Sequence, residues 1–201
     1  MAESPNPDEV RSVIQAVVTA ALGEEAEVAR DPGSEEVLLP ERTARIPLAD
    51  VAVGADHGGF HLKQAIAADL REHGFTVHDC GTESPESVDY PDYAFAVAKL
   101  VAQGGCRWGI VVDGAGIGSA MTANKVPGVR AATCWDVSSA RNSREHNHAN
   151  VLALGAGLLG ESLCLQIVQT WLSTAWGGGR HARRVSKITD IERRYARGAV
   201  G

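Results

Sequence analysis

No stretch of eighteen apolar residues occurs in the 201-residue chain, which excludes a conventional membrane-spanning helix. The opening MAESPNPDEV is acidic and polar, unlike the basic start of a secretory signal. Cysteine is sparse. Cys80, Cys106, Cys134 and Cys164 form no CxxC pair and fall at no zinc-finger spacing. They read as reduced, mostly buried thiols of a cytoplasmic protein and carry no metal. Lys+Arg number 19 against 25 Asp+Glu, a formal net charge of -6, which argues against a nucleic-acid partner. The turn Gly114-Ala115-Gly116-Ile117-Gly118 spaces its glycines by two, so the GxGxxG fingerprint is missing. No Lys-Ser/Thr pair follows it, which argues against NAD or ATP. What remains is 44% apolar and 22% charged, the balance of a folded globular chain.

The composition shifts near residue 48, dividing the chain into 1–22, 23–48 and 49–201. Residues 1–22 predict an isolated amphipathic helix. Asn6 caps it, Pro7 takes its first position, and Glu9 completes a capping box. Val10, Val13, Ile14, Val17, Val18, Ala21 and Leu22 form its apolar stripe. Residues 23–48, with seven acidic residues and Pro32, Pro40 and Pro47, read as a linker. A helix of about four turns is marginal alone in water, so the stripe needs a partner. That partner is either the protein's own core or oligomer, or another protein such as a scaffold or shell component. One basic residue on the polar face disfavours a membrane surface.

From Asp50 strands and helices alternate. Strands are predicted at 51–54, 75–77, 108–112, 129–134 and 151–154. Helices are predicted at 60–73, 93–103, 137–144, 161–172 and 182–196, with a short one after the glycine turn ending near Asn124. Such alternation implies an α/β, Rossmann-like three-layer sandwich around a mostly parallel five-stranded sheet. Ligands then sit at the carboxyl ends of the strands.

Four polar clusters follow predicted strands or open a helix. Asp56-His57-Gly58-Gly59 pairs a carboxylate and an imidazole with glycines that admit a ligand to the backbone. Asp113 precedes the glycine turn. Arg144-Glu145-His146-Asn147-His148-Ala149-Asn150, between a helix and a strand, gathers more hydrogen-bonding groups than can be buried unpaired, either as a site or as a structural network. Its imidazoles can move a proton near neutrality, while a metal on His146 and His148 lacks supporting ligands. Gly177-Gly178-Gly179-Arg180-His181-Ala182-Arg183-Arg184 opens the last helix with guanidiniums that oppose its dipole unless an anion is bound. Phosphate is the natural partner of such a group, since no aromatic platform for nucleic acid accompanies it.

Together these residues resemble the type B ribose-5-phosphate isomerase family, which includes galactose-6-phosphate isomerase subunits. The resemblance covers about residues 50–188. It rests on GADHGGFHLK at 54–63, GTESPESVDYPDYA at 81–94, GIGSAMTANKVPGVRAA at 116–132, SREHNHANVLALG at 143–155 and GGRHARRV at 178–185. It implies a homodimer or tetramer with shared active sites that interconverts aldose and ketose phosphates through an enediolate, without metal or organic cofactor. It puts sugar-ring opening on His146 with Asp56 nearby, gives Asn147 a substrate hydrogen bond, and places Tyr90 in the pocket wall. The phosphate would meet His57 together with Arg180 of the partner subunit, His181 of the partner subunit and Arg184 of the partner subunit. Backbone N–H groups of Gly114, Gly116 and Gly118 would hold the enediolate, with Asn124 and Lys125 beside the substrate.

Four departures accompany these matches. Asp113 stands where much of the family has the cysteine that moves the proton between C1 and C2. Ala115 replaces a common threonine. Ser119 stands where some relatives place a glutamate base, and Gly157 where an arginine commonly helps the phosphate. Asp113 is a substitute base only if burial raises its pKa from about 4. Otherwise the domain is a catalytically inactive or partner-dependent sugar-phosphate-binding subunit. An amphipathic helix and linker ahead of an enzyme of carbohydrate metabolism also resemble peptides that carry cargo into bacterial microcompartments. On that reading residues 6–22 meet a shell or scaffold.

Overall fold

The computed structural model describes residues 49–196. The predicted helix at 1–22 and the linker at 23–48 lie outside the described residues. Five strands form one sheet: β1 (Ala49–Ala55), β2 (Val77–Asp79), β3 (Cys106–Asp113), β4 (Ala131–Thr133) and β5 (Val151–Gly155). Their order is β2-β1-β3-β5-β4, and every pairing is parallel. Among the described residues six α-helices accompany them: α1 (Phe60–Glu72), α2 (Tyr90–Ala102), α3 (Ile117–Ala123), α4 (Val137–Glu145), α5 (Glu161–Ser173) and α6 (Gly179–Ala196).

The period-two alternation of the strands builds two cores. Val51, Val53, Ile110, Val112, Leu152 and Leu154 face α1, α4 and α5, meeting Ile66, Leu70, Ala140, Ile167 and Trp171. Ala52, Val111, Val151 and Ala153 face α2 and α3, meeting Ala94, Val97, Val101, Ala120 and Ala123. The predicted three-layer sandwich is therefore present, with a wholly parallel sheet. Helix α6 stands apart from both cores, and Val185 is its one buried residue.

The central strands run where their apolar stretches predict. The two edge strands are displaced. β2 lies at Val77–Asp79 because Val51 and Val53 pair with Val77 and Asp79. The apolar Phe75, which suggested an earlier strand, instead sets its ring edge-on to Trp108 at 6.4 Å. β4 is confined to Ala131–Thr133, since Val129 N–H is spent in a turn on Val126 O. Helix α2 starts three residues early, with Pro91 in its first turn. The chain turns sharply after β1, where a Cβ on Gly59 would lie 2.4 Å from Val112 O. Only glycine permits this approach, which brings the end of β1 against the end of β3.

Three thiols are buried and Cys80 is half-buried. Burial, then Cys106 and Asp79, push the Cys80 thiol up to about 12 against the opposing pull of Lys63, so it is protonated at neutral pH.

Trp171 has no exposed surface, and its indole N–H donates to Ser143 Oγ at 3.1 Å. Trp171→Ala is expected to cost about 3–5 kcal/mol, read as a lower midpoint in chemical denaturation. A loss below about 1 kcal/mol would contradict a core packed around this ring.

Candidate active site

The carboxyl ends of β1 and β3 assemble the first half of the site. Asp56 directly follows β1, is 8% exposed, and accepts Gly59 N–H at 3.0 Å to cap the short turn His57–Gly59. His57 projects from that turn, exposed, with Nδ1 3.0 Å from Val88 O and 3.2 Å from Val88 N. The loop carrying Val88 leads into Tyr90, whose ring covers the glycine turn: a Cβ on Gly118 would lie 2.5 Å from Tyr90 Cζ. A Cβ on Gly58 would be 3.4 Å from Asp56 Oδ1 and 3.7 Å from Gly114 N. Asp56, His57, Tyr90 and the turn after β3 are thus neighbours.

Asp113 closes β3 with its carboxylate folded back into that turn. Oδ1 accepts the N–H groups of Ala115, at 2.8 Å, and Gly116, and Oδ2 accepts Ser119 N–H at 2.9 Å. Burial pushes this carboxyl up. Hydrogen bonds from the Ser119 side chain and from the Gly116, Ser119 and Ala115 amides outweigh it, and the net direction is down. The condition that would make Asp113 a better base, a raised pKa, is therefore not met in the free protein. Among the described residues, the amides left without a partner at the turn are those of Gly114, Ile117 and Gly118. Gly116 holds φ +77°, and its carbonyl accepts Thr133 Oγ1 at 3.0 Å. Gly157, at the position of the family's arginine, donates its N–H to Gly114 O at 2.9 Å. Backbone thus closes the turn from the β5 side.

The second half gathers around the end of α4. His146 stacks on His181 with ring centroids 4.3 Å apart and planes 3° from parallel. Its Nδ1 is 3.0 Å from Asn142 Nδ2, and its Nε2 is 3.7 Å from Glu145 Oε1. Asn147 Nδ2 donates to Asn142 O at 3.4 Å and to Asn142 Oδ1 at 3.3 Å. Arg180 Nε donates to His181 Nε2 at 3.4 Å, and Arg184 lies exposed on α6. The His181 pKa is lowered by partial desolvation, then by His146, Arg180 and Arg184, against Glu145. No hydrogen bond, ion pair or ring contact among the described residues joins this half to Asp56, His57 or Asp113. Within one chain His146 is thus joined to Asn142 and His181, Asn147 to Asn142, and Arg180 to His181.

One expected ligand is engaged elsewhere. Asn124 makes a two-point bond to the Ala131 backbone, at 2.8 and 2.9 Å, and so ties β4 to α3. Lys125 borders a hollow of about 820 Å³ between that tie and α6. Sequence reasoning did not single out Asn142 or Thr133. Neither carries a motif, and each is recognisable only from its partner.

With this geometry in place, comparison with known proteins is decisive. The ribose/galactose isomerase family model matches residues 51–188. The chain belongs to this family. It is 48% identical over 144 residues to ribose-5-phosphate isomerase B of Escherichia coli K12, covering 72% of this chain and 97% of that protein. Its identity to the D-erythrulose-4-phosphate isomerase of Pectobacterium atrosepticum is 39% over 142 residues, covering 70% and 93%. Among solved structures, the ribose-5-phosphate isomerase B of Clostridium thermocellum superposes with a TM-score of 0.72 at 52% identity, covering 73% of this chain and 99% of that one. Membership places the chain in a family of aldose–ketose isomerases.

The lowered Asp113 pKa fixes a pH dependence. A carboxyl depressed in the folded state adds stability that is full above its unfolded value, near 4, and is lost as pH falls through the folded value. Asp113→Asn is therefore expected to lower the denaturation midpoint at neutral pH, with a deficit that shrinks on acidification below about pH 4. A deficit that grows towards acid would contradict a depressed carboxyl.

Proposed function

We propose that this chain isomerises a phosphorylated sugar of four to six carbons, a pentose phosphate or a close relative, through an enediolate. One observation carries the reading: the fold sets Asp113, the free amides of Gly114, Ile117 and Gly118, and the Asp56–His57 turn side by side at the ends of β1 and β3. Proton abstraction next to a carbonyl needs that pairing of a carboxylate with oxyanion donors. Held by its amides, Asp113 is a weak base. It gains basicity when a substrate oxyanion draws the Ala115, Gly116 and Ser119 amides away from it. His146 supplies the acid for ring opening, Asn147 a substrate hydrogen bond, and His57 with Arg180, His181 and Arg184 the phosphate contacts. Because the two halves make no direct bond within one chain, a shared site between two copies completes it. The family relatives that carry the activities of ribose-5-phosphate isomerase B and D-erythrulose-4-phosphate isomerase support the substrate class.

A second reading has its own observation. The caged Asp113 suits a binding subunit that isomerises nothing by itself. Incubation in D2O with a panel of four- to six-carbon aldose and ketose phosphates, followed by proton NMR, separates the two. The isomerase reading predicts conversion with solvent deuterium at C1 or C2, reduced at least about 100-fold in Asp113→Asn. A folded protein that converts and exchanges nothing across the panel establishes the binding-subunit reading instead.

The N-terminal segment is proposed to direct the enzyme to a shell or scaffold protein, with residues 6–22 as the docking peptide. Deleting residues 1–47 is then expected to leave fold, oligomeric state and turnover unchanged. Loss of subunits or of stability would assign the segment to the oligomer.

A further inference from the structure

Asn142 lies one turn before His146 on the exposed face of α4. Asparagine is a poor residue for a helix interior, about 0.5 kcal/mol worse than leucine. In this helix both ends of its side chain are engaged, and the polarity of its bonds can be followed from a fixed point. That point is the backbone carbonyl of Asn142, which can only accept. The end of Asn147 facing it, at 3.4 Å, is therefore the NH2 group. The same NH2 faces one end of the Asn142 amide at 3.3 Å, so that end is the oxygen. The other end of Asn142 is then the NH2, and it points at His146 Nδ1 from 3.0 Å. An NH2 can only donate, so Nδ1 accepts and carries no proton. The opposite ring nitrogen agrees, since Nε2 faces the Glu145 carboxylate at 3.7 Å, a neighbour that favours N–H. The parallel His181 ring holds the imidazole plane.

We infer that Asn142 is a positioning residue that fixes the neutral His146 as its Nε2–H tautomer and sets Asn147 in the same relay. One side chain thus couples the proton-carrying nitrogen of His146 to the orientation of the neighbouring substrate-binding amide. Its catalytic consequence rests on the proposal that His146 is the ring-opening acid: the proton is held on the nitrogen that the helix does not cover. Thr133, Ser138 and Asn147 line a hollow of about 420 Å³ that reaches Asn142, so the relay borders open space able to admit a sugar hydroxyl.

The test is two-bond 1H–15N correlation NMR on the ligand-free full chain labelled at histidine, recorded above the imidazole titration. The signals of His146 are identified by their loss in His146→Gln. Wild type is expected to show a pyridine-type Nδ1 and a pyrrole-type Nε2. In Asn142→Asp the carboxylate can only accept, so the proton moves to Nδ1 and the pattern inverts. In Asn142→Leu, which raises helix propensity and keeps the fold, the two tautomers mix. A pyrrole-type Nδ1 in wild type, or an unchanged pattern in Asn142→Asp, overturns the inference. Turnover gives the second readout: kcat is expected to fall at least about tenfold in Asn142→Asp with KM little changed. An unchanged kcat in an active enzyme overturns the positioning role. A wild type that shows the tautomer but converts no sugar phosphate overturns the isomerase proposal and leaves the tautomer assignment standing.

Discussion

A carboxylate removed from water must find hydrogen-bond donors, and Asp113, 5% exposed, finds them in the turn that follows it. The amides of Ala115, Gly116 and Ser119 all converge on its two oxygens. That convergence dictates the path of the chain. The turn must curl, which places Gly116 at positive φ and presses it against Leu154 at the end of β5. Gly157 then closes the turn through Gly114 O, and Thr133 reaches Gly116 O from β4. The carboxyl ends of three strands are thereby tied to one buried anion, and the wall of the candidate site is built on it.

Seen from that anion, the departures from the family pattern make a set. Aspartate needs donors, and Ser119, at the position where some relatives place a glutamate, supplies both an amide and a hydroxyl. A glutamate there would set a second negative charge against the first. Gly157 replaces a side chain with backbone that approaches Gly114 so closely that a Cβ would lie 2.9 Å from its carbonyl oxygen. A side chain at position 157 would therefore have to displace that carbonyl. The opposite half of the site keeps its cations, in Arg180 and Arg184 at the start of α6.

The fold was legible where burial alone decides it. β1, β3 and β5 are buried nearly throughout and read directly from Val51–Val53, Ile110–Val112 and Val151–Leu154. β2 and β4 are edges with one neighbour each, so polar residues such as His78 and Asp79 enter the ladder and hydrophobicity mislocates it. The site was legible as residue types but not as groupings. His146 and His181 are far apart in sequence, and nothing in either segment announces that their rings stack. Burial of Asp113 suggests a raised pKa; the amides that reverse the direction are backbone groups, silent in any sequence. Asn142 is an exposed helical residue without a motif, visible only through the bonds it makes.

The ionisation of one carboxylate decides whether the turn is built around an anion, and it is directly observable. A 13C-carboxyl NMR titration of Asp113 in the ligand-free protein, assigned by its loss in Asp113→Asn, follows that ionisation. The caged anion predicts a midpoint below the ordinary aspartate value of about 3.9. A midpoint above that value would contradict the cage and identify Asp113 as a carboxyl already poised to take a proton in the free enzyme.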